Sequence, residues 1–151
     1  MPLTATGEAL PCAIGLWKNR AAGKNGTLLW FPNGDFDSVV TAAVVLAGGL
    51  FADEADLLAN LGSKGKRTIG ERGKQQIAAT CLNLAAGDLF PDNTKCKLFE
   101  GNSIISNGCG DNLSIGDAVN QALVDIMSDA SAQHEAQECS DDINNGISVI
   151  D

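Results

Sequence analysis

The chain has no tyrosine at all, one histidine, and aromatic residues at only 5% of its length. Surfaces that bind glycans or stack nucleobases draw on several exposed aromatic rings. With Trp17 and Trp30 as the only tryptophans, such a surface has little to be built from. Long hydrophobic runs are lacking too. The best candidate, Val39 to Phe51, is interrupted by Thr41, Gly48 and Gly49 and falls short of the ~20 residues a membrane-spanning helix needs. No CxxC pair occurs, which speaks against a zinc or dithiol redox motif. The last 41 residues contain no lysine or arginine. Nucleic acid is thereby disfavoured as a partner, because phosphate contacts need clustered cations.

What is present bounds the class. The chain is 151 residues long and 44% apolar, enough for one domain with a sizeable core and too apolar for a disordered chain. Acids and bases balance at ten each from Met1 to Gly110, so the net charge of -9 comes from the nine acids beyond Gly110. One basic cluster, Lys64, Lys66, Arg67, Arg72 and Lys74, lies in a glycine-containing loop and a first helical turn. The start, Met-Pro-Leu-Thr, has neither a basic n-region nor an apolar h-region, so no signal peptide is read here. A mature secreted chain fits that start.

Five widely spaced cysteines, Cys12, Cys81, Cys96, Cys109 and Cys139, suit disulfides that staple distant segments of a small secreted domain. Cys81 alone falls inside an apolar helical pattern and is read as a buried free thiol. The expected bridges are Cys96–Cys109, tying down a loop of roughly twenty residues that would otherwise be unusual in a compact domain, and Cys12–Cys139, clamping the two ends together.

The organisation read from the sequence is all-α: about five helices in a body over 35–151, preceded by an irregular Gly/Pro/Asn-rich extended arm over 1–34. "TLLWF" in the arm is a strand or buried coil. "DFDSVVTAAVVLAGG" reads as a central buried helix capped by Asp35 or Asp37. "ADEADLLANLG" is a second helix with early acids at the positive end of its dipole. The third, from Thr68, is closed by Gly87. The clearest pattern is "SIGDAVNQALVDIMSDA", where Ile115, Ala118, Val119, Ala122, Leu123, Ile126 and Met127 form an apolar stripe behind the N-cap Ser114. A short last helix, "SAQHEAQEC", completes the body.

No catalytic constellation emerges. His134 and Cys139 could be paired on paper, but an acidic neighbourhood raises a thiol's pKa. No serine sits in a GxSxG elbow. The carboxylate pairs Asp35/Asp37 and Asp141/Asp142 read as caps or solvated turns. The stretch "SNGCGDNLSIGDAV" fails as an EF-hand, because Asp117 at position 12 leaves Ser106, Gly108 and Gly110 at positions 1, 3 and 5. A calcium site of another kind, drawn from Asp111, Asp117, Asp141 and Asp142, stays open. No other cofactor is expected.

Three motifs have a common resemblance. "CAIGLWKNR" at Cys12 to Arg20, "KQQIAATCLNLAAGD" at Lys74 to Asp88 and "CSDDINNG" at Cys139 to Gly146 resemble, in order, the "GYWKNHP", "HQLIAAKLNxANG" and "LxxYNNG" hallmarks of a domain found in secreted and cell-surface bacterial proteins. Leu16 stands where that family has tyrosine, and Arg20-Ala21 where it has His-Pro, so nothing peculiar to that histidine carries over. The resemblance implies an extracellular, mostly helical, non-enzymatic module. On that view Trp17 is a peg packed on the helical core, with its indole N–H bonded to backbone and Lys18 and Asn19 tying loop carbonyls. The function expected is a structural or adhesion module of a bacterial surface or matrix, assembling with itself, as a filament, or with matrix. The alternative is a calcium- or glycan-binding module.

Overall fold

The structure is a computed structural model that describes residues 11–12, 14–21, 33–61, 68–92, 96–99, 103–104, 114–144 and 149–150. Among these residues the fold is all-α, with six helices: α1 (Ile14–Ala21), α2 (Asn33–Leu46), α3 (Glu54–Leu61), α4 (Ile69–Leu89), α5 (Ile115–Ile126) and α6 (Ala130–Asn144). One two-residue antiparallel pair joins β1 (Ser103–Ile104) to β2 (Val149–Ile150), in register Ser103↔Ile150 and Ile104↔Val149.

The arm is not extended throughout. Residues Ile14–Ala21 form α1, because Ile14, Leu16 and Trp17 have a core to face. The run "TLLWF" lies outside the described residues.

The central element is α4, not α2. It packs against each of the other five helices, and every residue from Ile77 to Gly87 is buried. Its middle is built from Ala78, Ala79, Thr80, Ala85, Ala86 and Gly87, small side chains that let neighbours approach from all sides. Helix α2 is the more hydrophobic by composition, yet Val45 is 76% exposed and Thr41 faces solvent. It covers one flank of α4 with Phe36, Val39, Val40 and Ala43. It also starts at Asn33, so Asp35 and Asp37 lie within its first turns and do not cap it.

Helix starts follow local chemistry. Asp53 Oδ1 accepts from the Asp56 N–H at 2.9 Å ahead of α3. Thr68 and Glu71 form a reciprocal capping box at α4, which satisfies two otherwise orphan donors. Ser114 caps α5, and Asp129 Oδ1 accepts from the Ala132 N–H at the start of α6. Helix ends are met from elsewhere in the chain. The buried Gln75 amide donates to the Leu61 carbonyl that ends α3, and Gln133 donates to the Ile126 and Ser128 carbonyls at the end of α5.

Three boundaries differ from the sequence reading. Gly87 does not end α4, which runs on to Leu89. A Cβ at Gly87 would overlap the Leu98 carbonyl, so the glycine is a seat for the crossing chain. Met127, placed in the apolar stripe of α5, is its C-cap and 75% exposed. The short last helix runs on to Asn144, because Cys139, Ser140, Ile143 and Asn144 all turn inward.

The cross-links differ as well. Cys12 is bonded to Cys96 across 84 residues, with Cα atoms 4.6 Å apart. This replaces both expected bridges, Cys96–Cys109 and Cys12–Cys139. Cys139 is in a disulfide too, with a partner outside the described residues. Cys81 is free and buried.

Candidate functional site

The three motifs around Cys12, Asn83 and Asn144 lie far apart in sequence and meet at one point. Gln76, Thr80 and Asn83 occupy one stripe of α4 at helical spacing. Asn83, fully buried, is the hub. Its Oδ1 accepts from the Cys12 backbone N–H at 2.9 Å and from the Trp17 indole N–H at 3.2 Å. Its Nδ2 donates to the Cys12 carbonyl at 2.9 Å and to Asn144 Oδ1 at 3.2 Å. An amide offers two donors and two acceptor positions, and Asn83 uses all four.

Asn144 repeats the pattern from α6. Its Oδ1 accepts from Thr80 Oγ1 at 2.9 Å and from Asn83. Its Nδ2 donates to the Gln76 carbonyl and to Gln76 Oε1 at 2.9 and 3.1 Å. Among the described residues no buried side-chain nitrogen or oxygen lacks a partner. In a low-dielectric interior a fully satisfied network of this kind holds its members to one geometry, since any slip strands a buried donor or acceptor.

Trp17 is completely buried and stacks on Phe36 of α2, with ring centroids 6.4 Å apart and planes 24° from parallel. Its N–H goes to the Asn83 side chain and not to backbone as the sequence suggested. Burial removes Trp17 as a sugar platform, and Trp30 lies outside the described residues. Lys18 and Asn19 lie on the exposed side of α1.

The Cys12–Cys96 bond flanks the hub. The segment Cys96–Phe99 is buried against α4, with the Leu98 N–H donating to the Asn83 carbonyl at 3.0 Å. Asn83 therefore holds the arm with its side chain and this crossing segment with its backbone. Lys97 is also buried, and its ammonium donates to the Pro91 carbonyl at 2.8 Å.

The other candidates are scattered. Asp117 is exposed in the first turn of α5, and its N–H donates to Ser114. Asp141 is half-buried on α6, while Asp111 and the side chain of Asp142 lie outside the described residues. No group of three or more His, Cys, Asp or Glu side chains suited to a metal occurs among the described residues. His134 bonds Glu138 at 2.9 Å, with both side chains more than half exposed, a pairing of little energetic weight. Cys139 cannot serve as a nucleophile beside it while it is in a disulfide. The Cys81 thiol is pushed up to about 12 by complete burial, which makes it inert at neutral pH. Of the basic cluster, Arg72 is exposed and Lys74 half-buried near the start of α4; Lys64, Lys66 and Arg67 lie outside the described residues.

What the arrangement can do chemically is clamp. It joins the arm, the central helix and the last helix through amide hydrogen bonds, with a covalent bond alongside. Nothing in the local spacing of the three motifs shows that each supplies part of one hub. The sequence signal is Asn83, an amide between Leu82 and Leu84; Asn144, in the polar run Asp141 to Gly146, gives none. No protein-family model matches the chain, and no match was found among curated proteins or solved structures. No helix among the described residues is long and apolar enough to cross a membrane.

Proposed function

We propose that the protein is a non-enzymatic structural or adhesion module that works outside the cytoplasm, at a bacterial surface or in a matrix, and associates with copies of itself. The observation that carries this reading is the hub at Asn83. Cys12, Trp17, Asn83 and Asn144, from all three motifs, bond to one another there, with a disulfide at their side. Disulfides persist in oxidising compartments. The acidic stretch beyond Gly110 and the cations near the start of α4 supply opposite charges for a head-to-tail contact between copies.

Sedimentation velocity on the purified chain tests the assembly. The expected result is a rise in mean mass with protein concentration that weakens as salt screens the charges. A strict monomer up to millimolar protein at low salt would sink self-association. Full stability and unchanged free thiol content in a strongly reducing buffer would sink the extracellular reading. A calcium-dependent rise in melting temperature would move the function to the binding class.

A further inference from the structure

Cys96 stands apart in its backbone. Its φ of 62° lies in the left-handed region, and it is the only described residue other than glycine found there. An L-residue is held in that region against about 1–2 kcal/mol of steric cost, and it stays only where its surroundings force it. Three contacts do so here. The bond to Cys12 fixes its sulfur. The Leu98 N–H is tied to the Asn83 carbonyl, and Lys97 reaches back to the Pro91 carbonyl. Only the first of these can be undone by chemistry.

The two ends of the bond are held unequally. Cys12 keeps its place without the sulfur, because Asn83 grips both its N–H and its carbonyl, and Trp17 five residues on is fully buried. Cys96 has no described hydrogen bond from its own backbone to the core. The geometry points to Cys12–Cys96 as a redox-sensitive latch that opens on its Cys96 side. Reduction leaves α1, the hub and the Leu98–Asn83 bond in place and frees Cys96 from its left-handed turn.

The chemistry balances with a dithiol as reductant. Its thiolate attacks Cys12 Sγ and breaks the bond between the two sulfurs. The Cys96 thiolate leaves and takes a proton. The second thiol of the reductant then displaces the mixed disulfide, giving the Cys12 thiol and the oxidised, cyclic reductant. Cys96, no longer bound, leaves the left-handed region, and the relief of that cost favours the reduced form. Cys139 is the internal reference. It is also in a disulfide but sits within α6, where its backbone is helical.

The test is a redox titration of the intact protein in buffers of reduced and oxidised dithiothreitol. Acid quenching, alkylation and peptide mass analysis then read each cysteine. Cys12 and Cys96 are expected to become labelled first, at a reductant ratio about five- to thirty-fold lower than Cys139, the factor that corresponds to the left-handed cost. Partly reduced protein should show new proteolytic cuts between Pro91 and Phe99 and none in α1. Labelling of Cys139 first, or of all four together, overturns the latch, and so does cleavage in α1. Two variants test the cause apart from any reductant. Without the bridge position 96 is free to leave the left-handed region, so Cys12→Ala with Cys96→Gly should gain no stability over Cys12→Ala with Cys96→Ala. A folding constant about five-fold or more larger for the glycine variant would show that position 96 stays left-handed without the bond and would overturn the latch.

Discussion

Replacing Asn83 by aspartate changes almost no volume and removes two donors from the centre of the molecule. The Nδ2 bonds to the Cys12 carbonyl and to Asn144 Oδ1, at 2.9 and 3.2 Å, would be replaced by oxygen facing oxygen. Each lost bond costs about 1 kcal/mol net, and each buried group left without a partner costs about 1–3 kcal/mol. The two donations from Cys12 and Trp17 survive and favour the carboxylate in part. The balance is a loss of about 3–5 kcal/mol at neutral pH, or on the order of 10 °C in melting temperature for a chain of this size. The sign with pH follows from burial. A carboxyl among apolar residues and carbonyl oxygens has its folded pKa raised above the unfolded value of about 3.9. The variant is therefore least destabilised below that value, where the protonated acid regains one donor, and loses stability as pH rises through the folded pKa. Chemical denaturation of Asn83→Asp and the parent protein at pH 4 and pH 7 measures both. A loss under about 1 kcal/mol, or a loss that does not grow between those pH values, would refute the account of the hub as a strained-if-broken amide network.

Further outcomes are expected at other positions. Gly87→Ala should destabilise by a few kcal/mol despite alanine's better helix propensity, because its Cβ would overlap the Leu98 carbonyl. Gly15→Ala, at an exposed position of α1 with nothing near its Cβ, should stabilise by about 0.5–1 kcal/mol; equal effects at the two sites in thermal melts would contradict the packing of Leu98. Non-reducing peptide mapping should recover Cys12 linked to Cys96, Cys139 linked to Cys109 and Cys81 free, and any peptide joining Cys12 to Cys139 would overturn the connectivity. The Cys81 thiol, raised to about 12 by burial, should resist alkylation in native protein at pH 8 and react on unfolding. Its raised pKa also means that its contribution to stability is present below the unfolded value and lost as pH climbs from about 9 toward about 12, which an alkaline melt compared with that of Cys81→Ala would show.

Much of the helical content was legible because it is written in local pattern. Ser114 and the stripe from Ile115 to Ile126 announce α5, as side chains three and four apart share a face and a hydroxyl caps the first turn. The acids ahead of Leu57 mark α3 in the same way. Hydropathy misled where it was used to rank burial. It made α2 central because its valines are apolar all round, whereas α4 is central because alanine and glycine let five neighbours close in. Gly87 was read as a stop signal because in a sequence a glycine cannot declare whether it ends a helix or makes room for a crossing chain.

The all-α class, the starts of α4 and α5 and the isolation of Cys81 within an apolar stretch belong to the sequence by itself, since each depends on residues within a turn or two of one another. The pairing of Cys12 with Cys96, the hub of Asn83, Asn144 and Trp17, and the left-handed turn at Cys96 were decided only by tertiary structure. Those features join residues more than 60 positions apart. They exist because α4 and α6 lie side by side with the arm and the Cys96 segment laid across α4. No local spacing encodes which distant amide or thiol will find itself within bonding distance once the apolar faces have closed.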